Sequence, residues 1–288
     1  MDEAPNVAPR RLVRDPARMK LEGLSIAGVE TCIEVPELRL VLDMGRCTRS
    51  AIKQPTVLLS HGHLDHMGAV AQHAARRAMM KMGESTYLVP ASVAPEVEAF
   101  FNAAGRLDGQ VIPRRVVALE PGQDYPLGKR RWVRPFQTYH RVASQGYTVW
   151  ERRHQLRAEF HGLPGERVAE LRRQGVSIDH VTEVPLLSFT GDTRSEVLER
   201  TPELQRSETL IIESTFLDEL VSVEGARSTG HIHLDELLER AALLPRTDVV
   251  FSHFSARYRE EDVRRIVSQR LPDELQGIVR LFGVGTET

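Results

Sequence analysis

Residues 59–68 read LSHGHLDHMG and crowd three histidines and an aspartate into the six positions 61–66. They directly follow PTVLLS (55–60), a short apolar run without periodicity, which predicts a strand buried on both faces. Four metal-competent groups at the end of such a strand need partners, because burying unpaired polar groups is costly. His61 and His63, one residue apart, put two imidazoles on one side of an extended turn, close enough to chelate one ion. Asp65 and His66 follow at once and face another direction. Nitrogen donors mixed with carboxylates suit zinc, or manganese or iron in its place, better than calcium or magnesium. So many groups in one turn invite two ions held a few ångströms apart.

The remaining donors have to come from distant parts of the chain. PFQTYH ends a predicted strand at His140, FTGDT another at Asp192, and VVFSHFSARY a third at His253. All three lie where the first cluster lies, at the C-terminal end of a strand. A carboxylate can bridge two cations with its two oxygens, which makes Asp192 the natural shared ligand. His140 then completes one ion and His253 the other.

Around this cluster the pattern is that of a layered α/β domain. An alternating run, LSIAGVETCIEV, a turn at Pro36–Glu37 and LRLVLDMG predict a hairpin, and further strands are expected at 111–119, 131–138, 146–150, 184–189, 209–213 and 247–252. Helices are expected at 67–82, 92–104, 166–174, 234–244 and 260–270. No Pro/Gly/Ser linker interrupts the alternation. The expected organisation is an irregular segment 1–20 followed by a single unit 21–288, with a short basic substrate-binding insertion near 151–180.

No window approaches 18 uninterrupted apolar residues, and MDEAPNVAPRR lacks the apolar stretch of a signal peptide, so no membrane association is expected. Cys32 and Cys47 form neither a C-x-x-C pair nor a disulfide framework, and are expected as small core residues of a cytoplasmic protein. The net charge of −2 is unevenly distributed: residues 129–173 carry eleven Lys and Arg against four Glu, a local +7. That excess points to a polyanionic partner, unless the arginines merely form solvated faces. The aromatics within it, Trp132, Tyr147, Trp150 and Phe160, are expected mostly to face the core.

SHGHLDH, a lone histidine, GDT and SHF together resemble the metallo-β-lactamase fold. ESTF at 213–216, the pair Gly230-His231 and HFSARY at 253–258 narrow the resemblance to ribonuclease Z, the tRNA 3′-processing endonuclease, in its short plant-type form. The similarity runs from about residue 21 to 280. It implies an αββα four-layer sandwich, usually a homodimer, acting on precursor tRNA. It also implies two zinc ions, one held by His61, His63 and His140, the other by Asp65, His66 and His253, with Asp192 on both. Glu213 and His231 then match a glutamate–histidine pair that is not metal-bound and acts with Asp65 in catalysis. This sequence departs from the family in reading His231-Ile-His233-Leu where a small polar run is common, and His233 is expected to cap or face the next helix. It also lacks the long Gly/Pro-rich arm and the P-x-K-x-R-N loop, although GLPGERVAELRRQGV (162–176) is a candidate short counterpart of the arm.

The expected chemistry is endonucleolytic hydrolysis of a phosphodiester, leaving a 3′-hydroxyl on the tRNA. His231, kept protonated by Glu213, is the expected general acid for the leaving oxygen. Arg257, Tyr258, Arg152 and Arg153 are the expected substrate contacts. A small-molecule hydrolase for a phosphodiester, lactone or thioester would use all seven ligands unchanged, and a non-catalytic nucleic-acid-binding relative is the other alternative. Only the Glu213/His231 pair and HFSARY speak against the lactonase.

Overall fold

The computed structural model describes residues 18–283, so the expected irregular segment lies outside the described residues except for 18–20. The first half of the chain builds one sheet. An antiparallel ribbon, β1 (Glu22–Ala27), β2 (Glu30–Val35) and β3 (Leu40–Leu42), runs into the parallel strands β4 (Thr56–Leu58), β5 (Ser85–Pro90) and β6 (Arg114–Leu119). The connections carry α1 (Leu64–Met67), α2 (Val70–Met79) and α3 (Ala94–Asp108). The second half supplies β7 (Tyr125–Pro126), β8 (Arg131–Gln137), β9 (Gln145–Leu156), α4 (Gly165–Arg173), β10 (Asp179–Phe189), α5 (Val197–Arg200) and β11 (Thr209–Glu213). It ends with α6 (Val223–Thr229), α7 (Leu234–Glu239), β12 (Asp248–Ser252), β13 (Phe254–Ser255), α8 (Glu260–Arg270) and β14 (Val279–Leu281). The two sheets have the orders β13-β1-β2-β3-β4-β5-β6 and β14-β12-β11-β10-β9-β8-β7. β13 thus leaves β12 in the second sheet and pairs in parallel with β1 in the first.

Strand periodicity sorts the apolar side chains into three layers. Leu42, Leu58 and Leu88 of the first sheet meet Tyr147, Val149, Leu187, Ile211 and Val250 of the second. Val57, Tyr87 and Val89 point the other way, against Val97 and Phe101 of α3. Leu210, Ile212 and Phe251 face Leu234, Leu237, Val263 and Val267 of α7 and α8. This is the expected four-layer αββα sandwich. Its central strands read as unbroken apolar runs because both of their faces are covered.

Several boundaries differ from expectation. The strand expected from 111 begins at Arg114, because Pro113 has no N–H to give a ladder and Val111 is exposed. The helix expected over 67–82 divides between α1 and α2, whose N-cap is Ala69, and stops at Met79. The helix expected over 234–244 gives way after Glu239 to a 3-10 turn, Ala241–Leu243. The largest difference is the hairpin of β9 and β10, seven residues longer on the first strand and five on the second than expected. Beyond Glu151 and Val184 its strands pair only with each other, and α4 between them buries no side chain. This extension occupies the position of the expected insertion near 151–180. It carries charged rather than alternating apolar residues, so no apolar period announces it.

His73 on α2 shows how tightly the first outer layer is packed. Its Nε2 donates to the Ala51 carbonyl at 3.2 Å, and its Nδ1 lies 2.8 Å from the Tyr87 hydroxyl. Burial, assisted by the charge of Arg77, pushes its pKa down to about 4. The folded protein therefore binds fewer protons than the unfolded chain between pH 6.5 and 4, and stability is lost as pH falls through that window. The lost increment is about 3 kcal/mol at full effect. A His73→Gln variant should lose less stability than the wild type between pH 7 and 4.5, measured by urea unfolding. Parallel losses would show that His73 does not titrate as described.

Candidate metal centre

The expected ligands leave the two sheets at one rim. His61 follows β4 and bridges to Ser144, at the entrance to β9, while His63 is the N-cap of α1, which carries Asp65 and His66. His140, Asp192 and His253 follow β8, β10 and β12, and Glu213 is the last residue of β11. His253 has φ 61° at the crossover from β12 to β13, a conformation costly for a residue with a Cβ and the price of turning its ring into the cluster.

Two contiguous donor sets result. In the first, Nδ1 of His63 lies 2.9 Å from Nε2 of His61 and 3.4 Å from Nε2 of His140. Those two Nε2 atoms stand 3.8 and 4.0 Å from Oδ2 of Asp192. In the second, Nε2 of His66 is 3.1 Å from Nε2 of His253, 3.6 Å from Oδ2 of Asp65 and 3.4 Å from Oδ2 of Asp192. The Nε2 of His253 is 3.4 Å from Oδ1 of Asp192. Four-coordinate zinc with bonds of about 2.0–2.1 Å places its ligand atoms roughly 3.3 Å apart, so both sets have the right dimensions. Asp192 is buried, and its Oδ1 has no hydrogen-bond partner. An anionic oxygen left in that state is expensive, and a cation between the sets relieves it.

The hydrogen bonds on the far side of each ring decide which nitrogen faces inward. Nδ1 of His140 donates to the Gly230 carbonyl at 2.8 Å, and Nδ1 of His66 donates to Oδ2 of Asp43 at 2.7 Å. The Ser60 hydroxyl donates to that same Asp43 oxygen and accepts from Nδ1 of His61 at 2.9 Å. The Thr215 hydroxyl donates to Glu213 and accepts from Nδ1 of His253 at 3.1 Å. Each bond fixes Nδ1 as the proton-bearing nitrogen, so the neutral ring offers its lone pair on the inward Nε2, as a metal requires. Burial pushes the pKa of His61 well below the usual range, with the charge of His66 next in weight, and burial also lowers His253 against the pull of Asp192. For His66 burial acts the same way, but the carboxylates of Asp192 and Asp43 outweigh it and hold its pKa well above the usual value. Burial would raise Asp192, yet His253 and His66 keep it well below the carboxylate range.

Glu213 is fully enclosed. It accepts from the Thr193 amide at 2.6 Å, the Ile232 amide at 3.2 Å, the Thr215 hydroxyl and Nδ1 of His231 at 3.1 and 3.2 Å. Burial works to lower the pKa of His231, but the charge and hydrogen bond of Glu213, with Asp192 behind them, raise it to about 9. Its ring lies 5.1 Å from that of His140 and is stacked at 5.6 Å on that of His253. Asp192, His231 and His253 also fall within one metal-sized group, yet the His231 atom nearest Asp192 is the Nδ1 already engaged with Glu213. In this structure the His231 nitrogen that faces Asp192 is thus already held by a carboxylate. His233 caps α7 as expected, its Nδ1 accepting from the Asp235 amide and its own amide bonded to Glu236.

Arg257 stands at the rim, its guanidinium 5.5 Å over the Phe216 ring, which meets the His231 ring edge-on at 6.1 Å. Tyr258 is engaged structurally, donating to Asp218 and accepting from the Leu217 amide. Arg152 and Arg153 are not brought to the cluster. β9 leaves it at Ser144, and Arg152 lies eight residues on, about 26 Å along an extended strand, paired with Glu183 while Arg153 pairs with Glu208. Asp43, Ser60, Thr215 and Gly230 were missed. Asp43 did carry a signal, a carboxylate ending the apolar run LVL, whereas the other three are ordinary residues made important only by tertiary neighbours.

The sandwich and the twin donor sets on its rim define a metallo-β-lactamase-type metal centre, and residues 42–254 match the family model described as "Beta-lactamase superfamily domain". The chain is 39% identical to tRNase Z TRZ1 of Arabidopsis thaliana over 90% of its own length and 93% of that protein. It is 37% identical to the chloroplastic tRNase Z TRZ2 of the same plant, over 86% of this chain and 70% of that one. The short form of human tRNase Z shares the fold with a TM-score of 0.55 at 16% identity, covering 81% of this chain and 91% of that one. The chain belongs to the ribonuclease Z family.

Asp43 receives the Ser60 amide on Oδ1, and the Ser60 hydroxyl and His66 on Oδ2, at φ 58°. Asparagine tolerates that backbone but replaces one accepting oxygen by a donor. Asp43→Asn should therefore weaken metal binding about 10- to 100-fold in a chelator competition without unfolding the protein. Unchanged affinity would show that Asp43 does not orient the ligands.

Proposed function

We propose that the chain is a metal-dependent endoribonuclease that removes the 3′ trailer of precursor tRNA and leaves a 3′-hydroxyl on the tRNA. Residues 21–288 act as one unit, and the hairpin extension serves as its substrate-binding insertion. The observation that carries this reading is the Glu213–His231 pair set against two complete donor sets, in a chain 39% identical to a tRNase Z over nearly the full length of both. His61, His63, His140 and Asp192 would hold one zinc ion, and Asp65, His66, His253 and Asp192 the other. Imidazole and carboxylate donors at these spacings favour zinc, with manganese or iron as the ions to compare in metal analysis. A bound pair of such ions supplies Lewis acidity, which acidifies water and offsets charge on a phosphoryl group.

The protein's own groups supply the rest. Asp65, whose Oδ2 accepts from the Gly28 amide at 2.9 Å, is held at the mouth of the second set and orients the attacking water. His231 is pinned through Nδ1 by Glu213, while its Nε2 makes no hydrogen bond to a described residue. That nitrogen carries the proton to the ribose 3′ oxygen as the phosphorus–oxygen bond breaks, and Glu213 keeps the imidazolium charged until then. Leu64, between His63 and Asp65, is 69% exposed, so the turn that carries these donors reaches the surface. A strand of RNA can reach such a site, whereas a small-molecule hydrolase gains from enclosure.

The substrate grip is less concentrated than the sequence suggests. Arg131, Arg134, Arg152, Arg153, Arg157, Arg167 and Arg172 each pair with a carboxylate, several of them from outside the basic stretch. Of the aromatics there, Tyr147 and Trp150 are buried, and Trp132 is stacked on Trp150. For assembly we favour a homodimer through the exposed Met79, Met80, Leu107 and Val111 near the ends of α2 and α3. Sedimentation as a monomer would remove that assignment. Free, buried Cys32 and Cys47 suit a reducing compartment such as the cytoplasm. No helix among the described residues is long and apolar enough to cross a membrane.

The direct test compares cleavage of a 3′-extended tRNA precursor with hydrolysis of a bis-aryl phosphodiester and a lactone. His231→Ala should lower precursor turnover about 10²- to 10⁴-fold while zinc content stays at the wild-type level. Asp192→Ala should lose the metal itself. Loss of zinc from the His231 variant would make it a ligand, and a preference for the lactone would sink the nuclease.

A further inference from the structure

We infer that Thr215 is a positioning residue that joins the second donor set to the proton donor, its one hydroxyl holding the ring of His253 and the carboxylate of Glu213 at the same time. This rests on the endonuclease reading above and adds a dependence to it: the second ion and a correctly held His231 stabilise each other.

The segment 213–216 lies between the turns that carry His253 and His231, and it is tied to both. On one side the Ser214 amide donates to the Ser252 carbonyl at 2.9 Å, and the Ser255 amide donates to the Thr215 carbonyl at 3.0 Å. Two backbone bonds thus bracket His253, whose φ is 61°. On the other side the Leu234 amide donates to the Phe216 carbonyl at 2.8 Å, just past His231. Thr215 itself is buried. Its hydroxyl is in hydrogen-bond contact with Oε2 of Glu213 and lies 3.1 Å from Nδ1 of His253 and 3.4 Å from Nδ1 of His231.

A hydroxyl has one proton to give, and where this one points depends on His253. The Nε2 atoms of His253 and His66 face each other at 3.1 Å, so with no ion between them one of the two has to carry a proton and donate it to the other. When the neutral His253 ring carries that proton, its lone pair lies on Nδ1 and draws the Thr215 proton away from Glu213. In the metal-loaded set both Nε2 atoms give their lone pairs to the ion, which puts the His253 proton on Nδ1. Thr215 then accepts from His253 and donates to Glu213, whose other bonds go to the Thr193 and Ile232 amides and to Nδ1 of His231. One orientation of one hydroxyl therefore serves both the ligand and the acid. Such coupling is reciprocal, so whatever strengthens one hold strengthens the other.

The test compares Thr215→Val, which keeps the shape and removes the hydroxyl, with Thr215→Ser, which keeps the hydroxyl. In a chelator competition T215V should bind its second zinc about tenfold more weakly than the wild type, with the first unchanged and T215S within about twofold of the wild type for both. The proton that Nδ1 of His231 shares with Glu213 is read as the downfield NMR resonance missing from H231A. Filling the second site should shift that resonance in the wild type and in T215S but not in T215V. At saturating zinc, T215V should cleave a 3′-extended tRNA precursor with kcat lowered about tenfold and KM within about twofold. Its hydrolysis of a bis-aryl phosphodiester, whose leaving group departs without a proton, should match the wild type. Equal losses on the two substrates would make Thr215 a structural support and overturn the coupling. So would an unchanged affinity for the second zinc, or a His231 resonance that still follows zinc in T215V. Failure of the wild type to cleave the precursor, with the aryl diester still hydrolysed, would sink the tRNA reading instead, and the zinc and NMR results would then decide the role of Thr215.

Discussion

The site depends on where four imidazoles put their second nitrogen. His61, His66, His140 and His253 each spend Nδ1 on an acceptor outside the cluster, and each therefore presents a lone pair on Nε2 inside it. Without those bonds the rings could turn or change tautomer, and two proton-bearing nitrogens about 3 Å apart would repel each other. The acceptors are shared. Asp43 serves His66 directly and His61 through Ser60, so one carboxylate sets a ligand of each donor set. Glu213 governs His253 through Thr215 and His231 directly. Both donor sets and His231 are therefore held by two buried anions, Asp43 and Glu213, that belong to neither set.

The fold explains why those anions can be so placed. β3 and β4 run parallel to each other, as do β10, β11 and β12, so their C-terminal ends share one rim, and Asp43, His61, Asp192, Glu213 and His253 all sit at such ends. Strands covered on both faces are rigid supports, which a paired ion site needs if its donors are to stay within tenths of an ångström. The cost appears as local strain: Asp43 and His253 are among the few non-glycine residues with positive φ, and both lie at the rim. The crossover that strains His253 also sends β13 into the first sheet, so the same turn binds the sheets together and aims a ligand.

The seven donors were legible because chelation imposes a local signature. H-x-H-x-D-H has few other uses, and the lone His140, Asp192 and His253 each close an apolar run. The layers were legible too, since buried strands and amphipathic helices leave their periods in the chain. What escaped was whatever depends on tertiary neighbours alone. Ser60, Thr215 and Gly230 matter only for what stands opposite them. The outer hairpin of β9 and β10 escaped because its charged residues satisfy one another across the strands, Arg152 with Glu183, leaving no apolar alternation. The family resemblance supplied Glu213 and His231, which spacing by itself did not.

The same hairpin changes the meaning of the basic stretch. Counted along the chain, residues 129–173 carry a local +7. In space, Asp124, Asp179, Glu183 and Glu208 come in from outside that stretch and pair with its arginines. Arg153 sits between Glu208 and Glu151, whose carboxylates raise its already high pKa further. Such pairs lie largely within a Debye length of one another, and their far field cancels over about 8–10 Å. Long-range attraction of a polyanion is thus weaker than a linear count of charges implies. An arginine without a carboxylate keeps its full field and pays no cost in breaking a pair when phosphate arrives. Electrostatic attraction of a polyanion therefore concentrates where guanidinium groups lack a carboxylate, and near the rim Arg141, Arg194 and Arg257 make no ion pair with a described residue.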